Sequence, residues 1–362
     1  MTRTMICVAA LAALVLGAVG IEAQTRSVPM FEVDKAWPKL PPKYKVGDPS
    51  SFSIDAKDNV WLLHRPRTLL KPEEAKMAAP PVVVFDAAGN FVRAWGGDGQ
   101  GYQWVEREHG IHIDHQGFVW VTGNNCPTNG IKNLRPVADD QILKFTPEGK
   151  FVLQIGRTSE SKGNADTRNV HRAADVQVHA ATNELFVADG YGNRRVAVFD
   201  ATTGAFKRMW GAFGAAPTDE DNCEVTSPKS FPAGKGPAQF NIVHALRVAK
   251  DGTVYVADRE NRRVQVFTAQ GKFVNQIYRP ETPFARNLAL SPDQQWLYVG
   301  DGKEIAIVDR KTLTVVGAIN PPGIIGAGHQ IATDSKGNLY VAGTGAGMQK
   351  LAFKGMSTAA TR

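Results

Sequence analysis

The chain has only three cysteines in 362 residues. That excludes a small disulfide-built scaffold, where cysteine is dense. It has no block of lysine and arginine. The formal charge of +7 is scattered along the chain. Nucleic-acid binding draws on clustered cations, so the pattern points away from it. Weak attraction to acidic ligands is what remains. Past residue 24 no apolar run approaches the ~20 residues of a spanning helix, so stable membrane insertion of the mature chain is not expected. Histidine is scarce too, with eight residues in all, so where each one falls carries information.

The single long apolar run opens the chain, in "MTRTMICVAALAALVLGAVGIEAQ". Arg3 supplies a positive start, Met5 to Val19 the apolar stretch, and small residues precede Ala23. Residues 1–23 therefore read as a secretory signal cleaved near Ala23. No lipobox surrounds Cys7. Arg3 and Glu22 cancel, so cleavage leaves the net charge unchanged. The mature protein is expected to be secreted or periplasmic. Cys126 and Cys223 would then sit in an oxidising compartment, either as one disulfide or as two free thiols.

Glycine (35) and proline (21) are plentiful, which suits many short strands and tight turns. One hairpin pattern recurs: "SSFSIDAKDNVWLLHR", "HGIHIDHQGFVWVTG", "DVQVHAATNELFVADG", "HALRVAKDGTVYVADR", "NLALSPDQQWLYVGDG" and "HQIATDSKGNLYVAGT". Each is a short alternating strand, a polar turn, then a second strand rich in Val, Leu, Tyr and Trp. Most units continue into two more strands, as in "RRVAVFDATTGAFKRMWG". Six four-stranded units in tandem predict an all-β, six-bladed β-propeller over residues 49–355. The last unit, ending near "MQKLAF", is one strand short. The segment 24–48, through "MFEVDKAW", is expected to supply its outer strand and close the ring, which leaves 356–362 as a tail. Long inserts at 68–81, 124–139, 158–172 and 215–239 read as functional loops on one face.

Registering the units isolates a set of positions. The first apolar residue of each second strand is Val60, Val119, Leu185, Val254, Leu297 and Leu339. Ten positions earlier stand Ser50, His109, Asp175, His244, Asn287 and His329. All are polar, and the histidines fall in alternate blades. First strands line a propeller's channel, so His109, His244 and His329 should converge from three directions near one mouth. Three imidazoles with one side open is a catalytic zinc arrangement. Each histidine alone reads more simply as a strand residue bonding backbone. His112, His115, His171 and His179 lack the register and read as surface or turn residues. Five positions beyond the same ruler lie Arg65 and Arg259, and Tyr191 is one step past Gly190. In an antiparallel hairpin these lie on the histidine face. The arginines suit a substrate carboxylate, and the phenol suits a general base. Arg259 pairing with Asp258 or Glu260 at the surface is the plainer alternative.

The segments "EHGIHID", "VADGYGNRRV", "FNIVHALRV", "VADRENRRVQVF" and "GHQIATDSKGNLYV" together resemble the NHL-repeat peptidyl-α-hydroxyglycine α-amidating lyases, over about residues 50–351. The resemblance implies that His109, His244 and His329 bind Zn(2+), that Tyr191 is catalytic, and that Arg259 and Arg65 belong to the active site, with Arg67 as the other candidate for the latter. It implies a small-molecule or peptide substrate with a carboxylate, cleaved at a C–N bond to an amide and glyoxylate. Two positions depart from the family. Gly192 replaces a disulfide cysteine, so a Cys126–Cys223 bridge would be this chain's own. Gln330 replaces an acidic residue that helps hold Ca(2+), which leaves calcium open. Two other readings stand beside the lyase: a non-catalytic propeller that binds a protein or glycan, and a metal-dependent propeller hydrolase. The nitrogen-rich ring disfavours the second.

Overall fold

The computed structural model describes residues 27–219, 234 and 236–358. Within them the chain forms six four-stranded antiparallel sheets. Their first strands are Asp48–Ile54, Glu108–Ile113, Asp175–His179, Val243–Val248, Asn287–Leu290 and Gln330–Thr333. Each first strand lies against the next, and the sixth lies against the first. The result is a ring of inner strands around a channel: the expected six-bladed propeller.

The sequence explains the layering. Second strands such as Val60–Arg65, Val119–Gly123 and Val254–Asp258 are buried at every residue. Both faces of each blade are covered by its neighbours, so these strands read as continuous apolar runs. Outer strands such as Phe91–Trp95 and Phe151–Gly156 are only partly covered. The core therefore sits between blades. Phe186 and Trp210 of the third blade pack with Phe240, Val256 and Phe267 of the fourth. The inner hairpin turn repeats as well. Asp55, Asp114 and Asp334 each accept backbone N–H groups two and four residues on. Their second oxygens take Trp61 Nε1, Trp120 Nε1 and Tyr340 Oη. One carboxylate thus closes the turn and pins an aromatic of the second strand.

The N-terminal segment closes the sixth blade as expected. Strand Ser27–Val33 pairs antiparallel with Gly347–Thr358, with Phe31 opposite Phe353 and Val33 opposite Leu351. Phe31 also meets Tyr298 of the fifth blade edge-on. Ser27 pairs with Thr358. The strand therefore runs past 355, and residues 356–358 belong to the sheet rather than to a tail. Deleting residues 27–33 would leave a twelve-residue strand as an unpaired edge, which invites association. The expected outcome is a lower thermal midpoint with concentration-dependent light scattering. An unchanged midpoint would count against closure as a source of stability.

Strand polarity places the inserts. First strands begin, second strands end and fourth strands end at one mouth of the channel. The connections at 68–81 and 124–139 join second to third strands, and those at 158–172 and 215–239 join one blade to the next. The described ends of all four lie at the mouth where the first strands start. Cys126 is disulfide-bonded. Cys223 and residues 1–23, read above as a secretory signal, lie outside the described residues. Among the described residues no helix is long and apolar enough to cross a membrane.

Candidate metal centre at the channel mouth

The six registered polar residues, Ser50 through His329, are all buried at this mouth. The structure brings the three histidines together. Their ring centroids form a near-equilateral triangle, 4.9 Å for His109–His244, 4.5 Å for His109–His329 and 4.9 Å for His244–His329. One nitrogen of each lies within 4.8 Å of the others.

Each imidazole is oriented by the neighbouring blade. Nδ1 of His109 bonds the carbonyl of Ala174 at 2.7 Å, Nδ1 of His244 that of Arg286 at 2.7 Å, and Nδ1 of His329 that of Ser50 at 2.8 Å. Those carbonyls open the first strands of the third, fifth and first blades. A carbonyl only accepts, so Nδ1 carries the proton and Nε2 presents its lone pair. Burial, followed by neighbouring cations and histidines, holds all three well below the ordinary histidine value. His244 Nε2 is buried without a hydrogen-bond partner. Three neutral, pre-oriented nitrogen donors, one of them orphaned, fit a zinc-like ion. They fit calcium poorly, since calcium takes oxygen ligands.

The other three ring residues serve as supports. Ser50 Oγ donates to the carbonyls of Glu108 and His109. Asn287 Nδ2 donates to the carbonyls of Ala327 and Gly328, just before His329. Asp175 pairs with Arg247 at 2.6 Å. At the calcium-linked position, Gln330 Nε2 donates to the His244 carbonyl at 3.2 Å.

Tyr191 is wedged over the cluster by its two glycine neighbours. A Cβ on Gly190 would run into the backbone of Val243, and one on Gly192 into the His171 ring. The family's cysteine therefore has no room at Gly192. The phenol oxygen lies 3.1 Å from His109 Nε2 and receives a hydrogen bond from Arg259 Nη1 at 3.0 Å. Arg259 Nε is also held by Glu260 at 2.7 Å. So the plainer expectation for Arg259 is half right: it pairs with Glu260, but inside the site. Burial works against its charge, yet Tyr191 and Glu260 more than offset this and raise its pKa. Arg65 is buried and donates to the Glu108 carbonyl at 2.8 Å. Burial and then Arg107 bring it down to about 10, against the opposing pull of Tyr191. Arg67 turns away to the Glu106 carbonyl and carboxylate, so Arg65 is the arginine that faces the cluster. A cavity of about 240 Å³ opens beside it, walled in part by Leu70, Ile131 and Leu134 from the two inserts.

Sequence reasoning missed two residues here. Asp139 accepts the N–H groups of Glu106, Arg107 and Asn125 and so sets the loop before His109. Arg286 lies close enough to Arg259 and Glu260 to feel their charges. It is a charge directly beside the registered Asn287, the one available signal. Of the remaining histidines His115 is exposed, as expected, whereas His112 lies in the strand Glu108–Ile113 and lines the channel, His179 is buried, and His171 Nδ1 lies 2.8 Å from the Asp140 carboxylate. In "ADGYGNRR" and "ADRENRR", Asp189 and Asp258 do accept backbone N–H groups, from His171 and Asn241. They also hold the buried Arg195 and Arg263.

Burial fixes a pH dependence. His64, bonded to the Gly47 N–H and the Pro80 carbonyl, is pushed down to about 4 by burial. His112 is likewise pushed down to about 4 by burial, so with the three site histidines five imidazoles stay neutral in the fold where the unfolded chain protonates them, below about 6.5. Burial pushes Glu108 up to about 7 and Asp139 to about 6, so these two hold protons that the unfolded chain releases. Near pH 5 the five imidazoles outnumber the carboxylates that burial raises, Asp175 and Asp258 included, so the unfolded state binds more protons, each worth about 1.4 kcal/mol per pH unit. The metal-free protein should therefore lose stability as pH falls from 7 to 5. Denaturant midpoints with chelator present check this, and a midpoint that rises on acidification would contradict it.

The family model for the NHL repeat matches residues 240–267. Peptidyl-glycine alpha-amidating monooxygenase B of Xenopus laevis is 30% identical over 69% of this chain and 26% of that protein. A probable peptidyl-alpha-hydroxyglycine alpha-amidating lyase of Caenorhabditis elegans is 31% identical over 44% of this chain and 37% of its own length. Human NHL repeat-containing protein 3 is 25% identical over 84% of this chain and 74% of that protein. The chain spans about a quarter of the Xenopus monooxygenase. By its repeats, its fold and these relatives, the chain is an NHL-repeat β-propeller similar to the peptidyl-α-hydroxyglycine α-amidating lyases.

Proposed function

We propose that the chain is an exported zinc-dependent lyase. It cleaves the C–N bond of an N-acyl-α-hydroxyglycine-type substrate, a small molecule or a peptide, to an amide and glyoxylate. The observation that carries this reading is the convergence of three neutral imidazoles directly beside a phenol held by an arginine.

A zinc ion held by His109, His244 and His329 supplies Lewis acidity, which makes a hydroxyl proton easier to remove. The chain's own groups account for the rest. The Tyr191 oxygen accepts the proton of the substrate hydroxyl and relays a proton to the departing amide nitrogen. The carbon–oxygen double bond of glyoxylate forms as the C–N bond breaks, so the proton that leaves oxygen is balanced by the one that reaches nitrogen. Arg259 holds the Tyr191 oxygen in place. Arg65 and the other guanidiniums at the mouth favour a negatively charged substrate and the charge that develops on it. The inserts at 68–81 and 124–139 wall the side where an acyl group extends.

The test is direct. Purified protein incubated with N-benzoyl-α-hydroxyglycine should release benzamide and glyoxylate in equal amounts. Protein with its metal fully loaded that releases neither would rule out this substrate class.

A further inference from the structure

Arg286 stands immediately before the fifth blade's first strand, Asn287–Leu290. Its carbonyl is the one that orients His244. Its side chain lies over the Phe284 ring, 4.5 Å from the centroid. Its Nε is buried and has no hydrogen-bond partner. The guanidinium sits at the mouth, near enough for its charge to act on Arg259, Tyr191 and Glu260, and on His244 and His329.

Of the other guanidiniums near the cluster, two are already engaged, and the third, Arg107, acts on His109 and Arg65 from the second blade and is tested below as the alternative. Arg259 gives Nε to Glu260 and Nη1 to Tyr191. Arg65 gives Nε to the Glu108 carbonyl. A buried charged donor without an acceptor is costly, and a planar fork is best satisfied by a carboxylate.

We infer that Arg286 is the residue that grips the substrate carboxylate, while Arg259 positions Tyr191. This rests on the reading of the site as one that takes a carboxylate-bearing substrate, and it names the group responsible. It orients the substrate across the mouth, with its carboxylate toward the fifth blade and its acyl part toward the cavity beside Arg65.

The experiment measures binding apart from turnover. N-Benzoylglycine, which lacks the hydroxyl and is not cleaved, and its methyl ester are titrated calorimetrically into purified wild type and the variants Arg286→Ala, Arg286→Lys, Arg259→Ala and Arg107→Ala. Wild type should prefer the acid. Arg286→Ala should weaken the acid on the order of a hundredfold and leave the ester unchanged, which also shows that the site is folded. Arg286→Lys should recover part of the loss. Arg259→Ala should keep the preference for the acid. The inference is overturned if wild type does not bind the acid, if Arg286→Ala keeps the preference, or if Arg259→Ala or Arg107→Ala abolishes it instead. Acid binding through Arg286 in a protein that does not cleave N-benzoyl-α-hydroxyglycine would remove the lyase reading and leave this one standing. Cleavage by a protein in which Arg286→Ala keeps the preference would do the reverse.

Discussion

His244→Ala should empty the metal site. Purified wild type is expected to carry about one zinc per chain, and the variant none after dialysis. Structural zinc sites are worth roughly 10–16 kcal/mol in all, so one ligand of four contributes about 3–4 kcal/mol, or on the order of 10²–10³ in affinity. Turnover of N-benzoyl-α-hydroxyglycine should fall at least as far. His244 is the sharpest choice of the three. Its Nε2 has no protein partner to lose, whereas His109 Nε2 also touches the Tyr191 oxygen. His64→Gln is the control, because that imidazole bonds the Gly47 N–H and the Pro80 carbonyl away from the cluster. It should keep its zinc. Metal analysis of wild type and both variants settles the point. Absence of zinc from wild type would favour a propeller that only binds a partner.

Tyr191→Phe should separate chemistry from structure. The ring's edge-on contacts with His109 and His244, at centroid distances of 5.0 and 5.8 Å, do not need the hydroxyl. The close approaches of Gly190 and Gly192 are untouched. Fold and zinc content should therefore survive. The proton relay is lost, and loss of a positioned acid–base group costs 10²–10⁴-fold in rate. The fall should lie in kcat, with KM nearly unchanged, because the carboxylate contact lies elsewhere. Steady-state kinetics beside metal analysis measures both. A variant that keeps more than a tenth of wild-type kcat would remove Tyr191 from the chemistry.

Much of this site could be read from residue spacing. The repeat returns one polar residue ten positions before each second strand, and a propeller turns that spacing into a ring. His109, His244 and His329 stood out because histidine is rare in the chain and fell in alternate units. Arg65, Tyr191 and Arg259 followed from the antiparallel hairpin, which puts the end of one strand beside the start of the other. The closing strand was legible because the last unit lacked a partner, although its ends were not: it starts at Ser27, opposite Thr358, and stops at Val33, opposite Leu351. Spacing picked Arg65, while the resemblance left Arg67 as the other candidate; the structure separates the two by turning Arg67 to Glu106.

The sequence by itself determined the architecture, the face on which the inserts gather, and the identities of the converging side chains. Those depend on period and strand direction, which every repeat restates. The tertiary structure alone decided how the imidazoles are aimed. Their Nδ1 protons go to the carbonyls of Ala174, Arg286 and Ser50, each on the next blade around the ring. A backbone carbonyl is the same group in every residue, so no pattern of letters marks it. It becomes a partner only when two blades pack side by side. The same packing leaves Arg286 with an unanswered donor over the site, a property of where its neighbours are rather than of arginine itself.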